Sequence, residues 1–312
     1  MSAYQKTIGR AVTLSGVGVH GGAPASVMFL PADADAGIIF QRSDLGTASR
    51  DIHAHVSEIG ATDLSTALGP QEARVNTVEH LMAAIAAVGI DNLIIEVNGP
   101  EVPILDGTSA RFIEAFDEAG IVVQDAKRRF IRILKTVRVE AGGSWGEFQP
   151  YSGTRFEVEI DFECPLIGRQ KFAADMSEET FRKEISTART FGFMKDVERL
   201  WAAGLALGSS LDNSLVIGDD NSVINPGGLR FKDEFVRHKT LDAVGDISLA
   251  GLPFIGCFRS YRGGHRLNAE TVKALLADKS NYDIVEASGV RRNADSSDFV
   301  AARPNISAPW AL

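Results

Sequence analysis

Three polar residues recur at a four-residue spacing in the segment 231–250, which reads FKDEFVRHKTLDAVGDISLA. A helix would stack the side chains of His238, Asp242 and Asp246 on one face, beside an apolar stripe. One imidazole and two carboxylates in that arrangement suit a metal site or an acid–base site. The same pattern is also typical of a solvated polar face with a His–Asp contact, so the spacing alone leaves both interpretations open.

A second candidate pair, Glu79 and His80, lies in the segment VNTVEHLMAAIAAVGI. Its apolar residues follow the helical period, which predicts a helix capped by Asn76 and ended by Gly89. In that helix Glu79 would belong to a capping box, where its carboxylate satisfies a backbone N–H. His80 would be a buried core histidine. Taken singly, these structural roles account for both residues.

Combining the two helices suggests a different role for these residues. His80, His238 and Asp242 would supply two imidazoles and one carboxylate, and a fourth coordination position would stay open. That donor set is the pattern of a catalytic zinc site. Glu79, next to a ligand, would then take a proton from zinc-bound water. The hypothesis requires the two helices to pack together, which spacing does not show.

The elements around these helices predict the organisation of the fold. Residues 4–30 predict two strands around the turn GVGVHGG, where His20 would make a local hydrogen bond or stand at the edge of an active site. Both halves of the chain run from strands into a helix, a strand and a helix, which predicts two similar α+β domains. The polar and basic segment 121–130 is a candidate linker between them.

Composition argues against several classes of function. The chain has 312 residues, of which 45% are hydrophobic and 23% charged, as in ordinary folded proteins. Its formal charge of -9 argues against nucleic-acid binding. No apolar run approaches about 20 residues and the N-terminus lacks an apolar signal segment, so we expect neither a membrane span nor a signal peptide. Two cysteines, Cys164 and Cys257, fit a reducing cytoplasm.

Four longer motifs carry a specific resemblance. The run TVEHLMAAIAAVGIDNLIIEVNGPEVPILDGTSA, together with ARTFGFMKD, FVRHKTLDAVGD and SYRGGH, resembles the UDP-3-O-acyl-N-acetylglucosamine deacetylases. These are the cytoplasmic zinc amidohydrolases that commit Gram-negative bacteria to lipid A biosynthesis. The resemblance extends from GVGVHGG to about Asn268. It implies hydrolysis of the N-acetyl group of UDP-3-O-(3-hydroxyacyl)-N-acetylglucosamine, which gives acetate and the free amine.

For the fold, the resemblance implies an α+β protein of two similar domains, each a two-layer sandwich of a sheet and helices. The active site would lie at the domain interface. We expect domains at 1–126 and 127–280, with an acyl-chain insert at about 194–217 in the second domain. The segment 281–312 is polar and contains ADSSD, which predicts a flexible tail. We expect a monomer without a nucleic-acid partner.

The resemblance also implies the roles of individual residues. His80, His238 and Asp242 would hold one catalytic zinc ion, and Glu79 would be the general base. His265 would be a second catalytic group, an imidazolium that stabilises the oxyanion or protonates the departing amine. Zinc lowers the pKa of bound water to about 7, which suits amide hydrolysis. Considered alone, the GGH sequence is more typical of a turn histidine.

Two further residues would support this chemistry. Asp246 would orient His265 and keep it charged. Thr190 would donate a hydrogen bond to the tetrahedral oxyanion, and loss of one such donor typically costs about 10²–10³ in rate.

Five residues are expected to contact the substrate: Lys239, Phe191, Phe193, Phe162 and Arg262. Phe191 and Phe193 would flank the mouth of the acyl passage. The cations Lys239 and Arg262 suit the diphosphate of a UDP-sugar. Phe162 would stack on uracil, although a core position at its strand end explains it about as well.

The chain departs from the family pattern at two positions. Ser65 stands where many relatives carry a cysteine near the metal, and Ser144 stands where some carry a lysine near the nucleotide. Zinc catalysis should survive the first change. Because Ser144 replaces that lysine, phosphate binding would rely more on Arg262 and Lys239.

Two other classes of protein remain alternatives. A non-catalytic binding protein for nucleotide sugars or acyl chains should have lost at least one of Glu79, His80, His238, Asp242 and His265, and all are present. A metal phosphoesterase acting on the diphosphate would usually need more carboxylate ligands at one focus. The sequence therefore favours a zinc-dependent deacetylase.

Overall fold

The computed structural model describes residues 3–48 and 50–287. The first part of the chain forms nine strands and two helices: β1 (Tyr4–Ile8), β2 (Val12–Val17), β3 (Pro24–Pro31), β4 (Ile38–Arg42), β5 (Ile52–His53), β6 (Ile59–Ala61), β7 (Ala67–Leu68), α1 (Glu79–Val88), β8 (Leu93–Asn98), α2 (Ala110–Ala119) and β9 (Ile121–Lys127). The second part forms nine strands and four helices: β10 (Arg129–Ile133), β11 (Val137–Ala141), β12 (Ser144–Gln149), β13 (Thr154–Asp161), β14 (Arg169–Asp175), α3 (Glu178–Glu184), β15 (Phe191–Phe193), α4 (Met194–Ala202), β16 (Leu215–Ile217), α5 (Glu234–Ser248), β17 (Phe254–Tyr261), α6 (His265–Ala277) and β18 (Tyr282–Glu286). The predicted α+β class is confirmed. None of the six helices in this region combines the length and the hydropathy that a membrane crossing requires.

Five strands form the main sheet of the first part, in the order β2-β3-β8-β4-β5. β3 pairs antiparallel with β2 and β8, while β4 runs parallel to β8. Alternate residues of β3 point inward, and Val27 and Phe29 are fully buried. Phe112 and Phe116 of α2 pack on Phe29, with ring centroids 6.5 and 5.0 Å away. A helix therefore covers one face of this sheet.

The larger sheet of the second part has seven strands arranged around β17. β17 pairs antiparallel with β12 and parallel with β10 and β13. Four aromatic rings on these strands form its core, with centroids 5.3 to 5.9 Å apart: Phe148, Phe156, Phe254 and Phe258. α5 packs against β13 and β14, and α6 packs against β11 and β12. Two helices are thereby anchored to this sheet.

The helices α1 and α5 pack directly on each other, which is the contact that the metal-site hypothesis requires. Most residues of both helices are buried. Gly245 of α5 lies against the start of α1, where a Cβ would stand 2.0 Å from the carbonyl oxygen of Glu79. A side chain at this position would prevent so close an approach. The polar residues of the two helices are therefore brought together inside the protein.

Two expectations about connecting segments are wrong. The candidate linker 121–130 is instead β9 and the start of β10, and β9 pairs with β1 through partners such as Ile8 and Ile121. The β-branched residues at the start of β9 favour this strand over a loop. The segment 281–312, expected to be a tail, begins with β18, which pairs antiparallel with β10. Residues 288–312 lie outside the described residues.

The start of α1 also differs from the prediction. Val78 occupies the N-cap position, and Thr77 before it has a positive φ of 59°. The Asn76 amide donates to the carbonyl oxygen of Pro100 at 2.9 Å and caps no helix. Glu79 is the first residue of the helix, so the capping-box interpretation of its carboxylate is wrong.

Candidate active site

The three predicted ligands meet where α1 and α5 pack together. His80 comes from α1, His238 and Asp242 come from α5, and their donor atoms lie within 4.8 Å of one another. Oδ1 of Asp242 lies 3.5 Å from Nε2 of His80 and 3.3 Å from Nε2 of His238. The two imidazole rings are perpendicular, with centroids 4.9 Å apart. All three residues are buried, and residues 3–48 and 50–287 contain no other group of this kind.

The hydrogen bonds around this cluster leave lone pairs on its ligand atoms free to bind a metal ion. Nδ1 of His238 lies 3.1 Å from the carbonyl oxygen of Ala188, which places the ring proton on Nδ1 and the lone pair on Nε2. Oδ1 of Asp242 is buried without a hydrogen-bond partner. An unpaired carboxylate oxygen is costly to bury, and a cation would satisfy it. The two imidazoles and the carboxylate therefore fit a divalent metal ion with an open coordination position.

Burial and neighbouring charges put two ligands in the protonation state that a metal needs. Burial lowers the pKa of His238 to about 4, against the opposing effect of Asp242, so this imidazole is neutral at physiological pH. Burial alone would raise the pKa of Asp242, but His238 and the Lys239 ammonium hold it well below its usual range. Nζ of Lys239 donates to Oδ2 of Asp242 at 2.8 Å. Lys239 thus contacts a member of the cluster, and its expected contact with substrate phosphate stays a prediction.

Glu79 lies beside His80 at the start of α1 and is 3% exposed. Its Oε2 accepts a hydrogen bond from the backbone N–H of Thr66 at 3.0 Å. Burial raises the pKa of Glu79, although His265 and His80 oppose the shift. A carboxylate with a raised pKa is a stronger base than an exposed one, so this position suits proton abstraction from water.

The second predicted catalytic group, His265, is the first residue of α6. The GGH sequence, which considered alone is more typical of a turn, therefore leads directly into a helix at its histidine. Nδ1 of His265 lies 2.9 Å from Oδ2 of Asp246, and both side chains are buried. Burial alone would lower the pKa of His265, but the Asp246 carboxylate outweighs burial and raises the pKa to about 9. His265 is therefore an imidazolium at physiological pH and can donate a proton.

Two residues that were not predicted from the sequence hold Asp246 in place. Oγ1 of Thr66 donates to its Oδ1 at 2.6 Å, and Nδ2 of Asn268 donates to its Oδ2 at 2.8 Å. Thr66 is 180 residues away from Asp246 along the chain, so no local pattern marks it. Asn268 lies one helical turn after His265 on α6, and that spacing is a signal from which it could have been found.

One cavity of about 320 Å³ extends from His80 and Glu79 to an apolar wall. Glu79, His80 and Thr190 line its polar part, together with His20 of the GVGVHGG turn. His20 therefore stands at the edge of the site, one of the two positions considered for it. The apolar wall comes from β15, α4 and the loop that follows: Phe191, Phe193, Met194, Val197, Leu200, Trp201 and Leu211. Polar donors and apolar surface thus face the same space.

Comparison with known proteins decides the family. The family model described as LpxC, UDP-3-O-acyl N-acetylglycosamine deacetylase, matches residues 5–277. This chain belongs to that deacetylase family. Proteins named UDP-3-O-acyl-N-acetylglucosamine deacetylase from Brucella ovis, Brucella canis and Brucella melitensis biotype 2 are each 80% identical to it over 287 residues, which is 92% of this chain and 100% of the relative. The resemblance carried by the four motifs is confirmed.

The three aromatic residues expected at the substrate of this deacetylase family lie in one cluster. The ring centroid of Phe162 lies 5.8 Å from that of Phe191 and 6.3 Å from that of Phe193. This packing explains Phe162 by itself, and its stacking on uracil stays a prediction. Arg262 is exposed, has a φ of 51°, and donates its backbone N–H to the carbonyl oxygen of Glu159 at 2.8 Å. The expected contact of its guanidinium group with the substrate diphosphate also stays a prediction.

The two departures from the pattern of this deacetylase family lie in different places. Ser65 is buried and directly precedes Thr66, whereas Ser144 begins β12 and pairs with Ala141 in a hairpin. Neither serine belongs to the His-His-Asp ligand group. The survival of zinc catalysis despite Ser65 stays a prediction.

Proposed function

We propose that this chain is a zinc-dependent deacetylase of UDP-3-O-(3-hydroxyacyl)-N-acetylglucosamine. It hydrolyses the N-acetyl group and gives acetate and the free amine, the committed step of lipid A biosynthesis. One observation carries the proposal: His80, a member of the buried cluster with His238 and Asp242, lines the same cavity as Glu79, in a chain 80% identical to relatives that bear this activity in their names.

The chemistry of the donor set supports zinc as the metal. Two imidazole nitrogens and one carboxylate oxygen form a ligand set of catalytic zinc sites. Zinc held by His80, His238 and Asp242 would polarise the acetamide carbonyl and lower the pKa of water at the site to about 7. Oδ1 of Asp242 has no hydrogen-bond partner and the imidazole of His238 is neutral, so both have a lone pair that can bind zinc.

Glu79 acts as the general base. It accepts one proton from the attacking water, and the remaining hydroxide oxygen bonds to the acetyl carbon. Its burial favours this transfer, because burial raises the pKa of the carboxyl group and makes the carboxylate more basic. Thr190 lines the same cavity, and its hydroxyl donates a hydrogen bond to the oxyanion that forms.

His265 acts as the general acid. It delivers a proton to the amine nitrogen as the carbon–nitrogen bond breaks, so the sugar leaves as a neutral amine and the acetyl group leaves as acetic acid, which loses its proton to solvent and becomes acetate. The Asp246 carboxylate, 2.9 Å from Nδ1, keeps the imidazolium charged until that step. Glu79 then loses its proton to solvent, and His265 takes up a proton from solvent and becomes an imidazolium again.

The rest of the cavity suits the rest of the substrate. The apolar wall formed by β15 and α4, to which Phe191 and Phe193 belong, is assigned to the acyl chain. Lys239 and Arg262 are the cations assigned to the diphosphate, and Phe162 is assigned to uracil. We assign the reaction to the cytoplasm of a Gram-negative bacterium, the compartment of nucleotide-sugar substrates.

The two alternative functions receive less support. A binding protein has no need for an imidazolium held by a buried carboxylate beside a buried base, yet all five discriminating residues are present and buried. A two-metal phosphoesterase would need a second ligand group, and the described residues contain one group.

The direct test of the proposal measures metal content and product together. We expect the purified protein to contain about one zinc ion per chain and to release equal amounts of acetate and amine from UDP-3-O-(3-hydroxyacyl)-N-acetylglucosamine. Removing the metal with a chelator should abolish acetate release, and adding zinc should restore it. Full activity after chelation, or release of UMP in place of acetate, would contradict the proposal.

A further inference from the structure

Thr66 hydrogen-bonds to both carboxylates that flank the reaction centre. It lies directly before β7 and is 1% exposed. Its backbone N–H donates to Oε2 of Glu79 at 3.0 Å, and its hydroxyl donates to Oδ1 of Asp246 at 2.6 Å. One residue thus connects the proposed base to the carboxylate that orients the proposed acid.

The two bonds limit how each carboxylate can turn. With Oε2 of Glu79 tied to Thr66, Oε1 is the oxygen available to the attacking water. With Oδ1 of Asp246 tied to Thr66, Oδ2 accepts from Nδ1 of His265 at 2.9 Å and from Nδ2 of Asn268 at 2.8 Å. A hydroxyl bonded to a carboxylate at such a short distance is among the stronger hydrogen bonds in proteins.

We propose that the Thr66 hydroxyl is a positioning group that fixes the Asp246 carboxylate and, through it, the ring of His265. Without the hydroxyl, Oδ1 of Asp246 would be buried and unpaired, and the carboxylate would turn to find another donor. The ring of His265 would then lose its fixed orientation. The kinetic consequence rests on the proposed deacetylase function, whereas the hydrogen-bond link does not.

Three variants of Thr66 separate the hydroxyl from the rest of the side chain. Thr66→Val keeps the shape and the N–H donor to Glu79 but removes the hydroxyl. Thr66→Ala also removes it and is too small to clash, so it carries the test if the valine variant does not fold. Thr66→Ser keeps the hydroxyl and is the matched control.

The kinetic expectation is a loss in kcat with little change in KM. A hydrogen bond to a buried charge contributes enough to change a rate by about 10- to 100-fold. We expect kcat of Thr66→Val and Thr66→Ala to fall by about that factor, with zinc content unchanged and KM within about twofold. Thr66→Ser should stay within about threefold of the wild-type kcat. Equal loss in all three variants would overturn the proposal.

A double-mutant cycle tests whether Thr66 acts through Asp246. In the Asp246→Asn background the carboxylate that Thr66 holds is already absent. Thr66→Val should therefore slow that variant by less than about twofold. An additive loss, equal to that in the wild-type background, would mean that Thr66 acts by another route.

A spectroscopic measurement tests the link without turnover. In zinc-loaded protein labelled with ¹⁵N-histidine, the Nδ1–H resonance of His265 should move in Thr66→Val and Thr66→Ala and stay in place in Thr66→Ser. An unchanged resonance in the first two variants would overturn the proposal. If the wild-type protein released no acetate, the proposed function would fail, and this resonance would still decide the role of Thr66.

Discussion

At the scale of single residues, environment assigns opposite charge states to two buried histidines. Burial lowers the pKa of His238 to about 4, and the charges of His80 and Lys239 act in the same direction against the Asp242 carboxylate. His265 is also buried, but its Nδ1 lies 2.9 Å from the Asp246 carboxylate and its pKa rises to about 9. The first imidazole is therefore available as a ligand, and the second is available as an acid.

This difference predicts opposite effects of two alanine substitutions on metal content. His238→Ala removes one of three ligands, so the purified variant should contain less than about a tenth of the wild-type zinc. His265→Ala leaves the ligands intact and should keep its zinc, while kcat falls by about 10²-fold or more. Metal analysis of both proteins after identical dialysis makes the comparison. Zinc loss in His265→Ala would show that His265 is misassigned.

The Asp246–His265 contact predicts a pH dependence. A proton donor works while it is protonated, so activity should fall as pH rises through the His265 pKa of about 9. Asp246→Asn removes the charge that raises this pKa, and the fall should move toward the ordinary histidine value of about 6.5. The pH profile of kcat/KM measures the shift, with Asp278→Asn, an exposed carboxylate, as the control. An alkaline limb that stays in place in Asp246→Asn would contradict this role.

The sequence predicted the metal cluster because its members are chemically distinctive and regularly spaced. His238 and Asp242 share a helix face, and His80 joins them through a long-range contact that the hypothesis required and that spacing does not show. Thr66 was missed because it meets Asp246 across 180 residues of the chain, whereas Asn268 lies one helical turn after His265 and could have been found from that spacing.

At the scale of secondary-structure elements, the packing of α1 on α5 determines where the ligands stand. Gly245 allows the close approach of the two backbones, because a Cβ there would lie 2.0 Å from the carbonyl oxygen of Glu79. Replacing glycine by alanine inside a helix ordinarily stabilises it by about 1 kcal/mol. A clash with rigid backbone is expected to outweigh that gain.

Gly245→Ala should therefore destabilise the protein by about 1–3 kcal/mol and weaken zinc binding, because the helices must separate. Denaturant unfolding and zinc titration measure the two effects. Gly192→Ala is the control for stability, since a Cβ at that glycine meets no atom within 4 Å. A Gly245→Ala protein as stable as wild type would mean that the two helices can move apart without cost.

Helical periodicity predicted the main helices well, while their ends and the edge strands were harder to place. α1 begins at Glu79 because the preceding Thr77 has a left-handed backbone and its hydroxyl donates to Glu101 at 3.0 Å. That arrangement depends on a residue beyond the helix, so local capping rules misplaced the start. β9 was predicted to be a linker because many of its residues are polar and because its partner, β1, is distant in the sequence.

At the scale of the whole molecule, a buried ion pair ties the loop before Thr190 to the start of α5. Both oxygens of Glu234 accept from the Arg189 guanidinium, at 2.8 and 3.1 Å, and Glu234 is fully buried. Oε1 also accepts from the backbone N–H of Arg189 at 3.1 Å. The pair therefore ties the residue before Thr190, which lines the cavity, to the helix that carries His238 and Asp242.

Removing one partner should leave the other charge buried and unpaired. Glu234→Ala is expected to cost about 3–5 kcal/mol of unfolding free energy. The exposed pair Arg10–Glu118 is the control, and Glu118→Ala should cost less than about 1 kcal/mol. Burial alone would raise the pKa of Glu234, but Arg189 lowers it overall, so its stabilisation is present above the unfolded pKa and lost as pH falls through the folded one. Equal costs for the two substitutions in urea unfolding would contradict this account.

The α+β class could be predicted from the order of elements, and the family from its motifs. The division into domains 1–126 and 127–280 stays a prediction. The order of strands within each sheet could not be read from the chain, because β17 joins β10, β12 and β13 across more than a hundred residues. Such pairings depend on how whole faces pack, which periodicity does not encode.

The central claim is that a buried carboxylate beside a metal-binding cluster removes the proton from water. The most direct measurement compares wild type with Glu79→Gln for zinc content and acetate release. The variant keeps the shape of the side chain and its acceptor for the Thr66 N–H, so we expect it to bind a full equivalent of zinc. Its kcat should fall by about 10²–10⁴-fold. A zinc-loaded Glu79→Gln protein that deacetylates at the wild-type rate would contradict the claim.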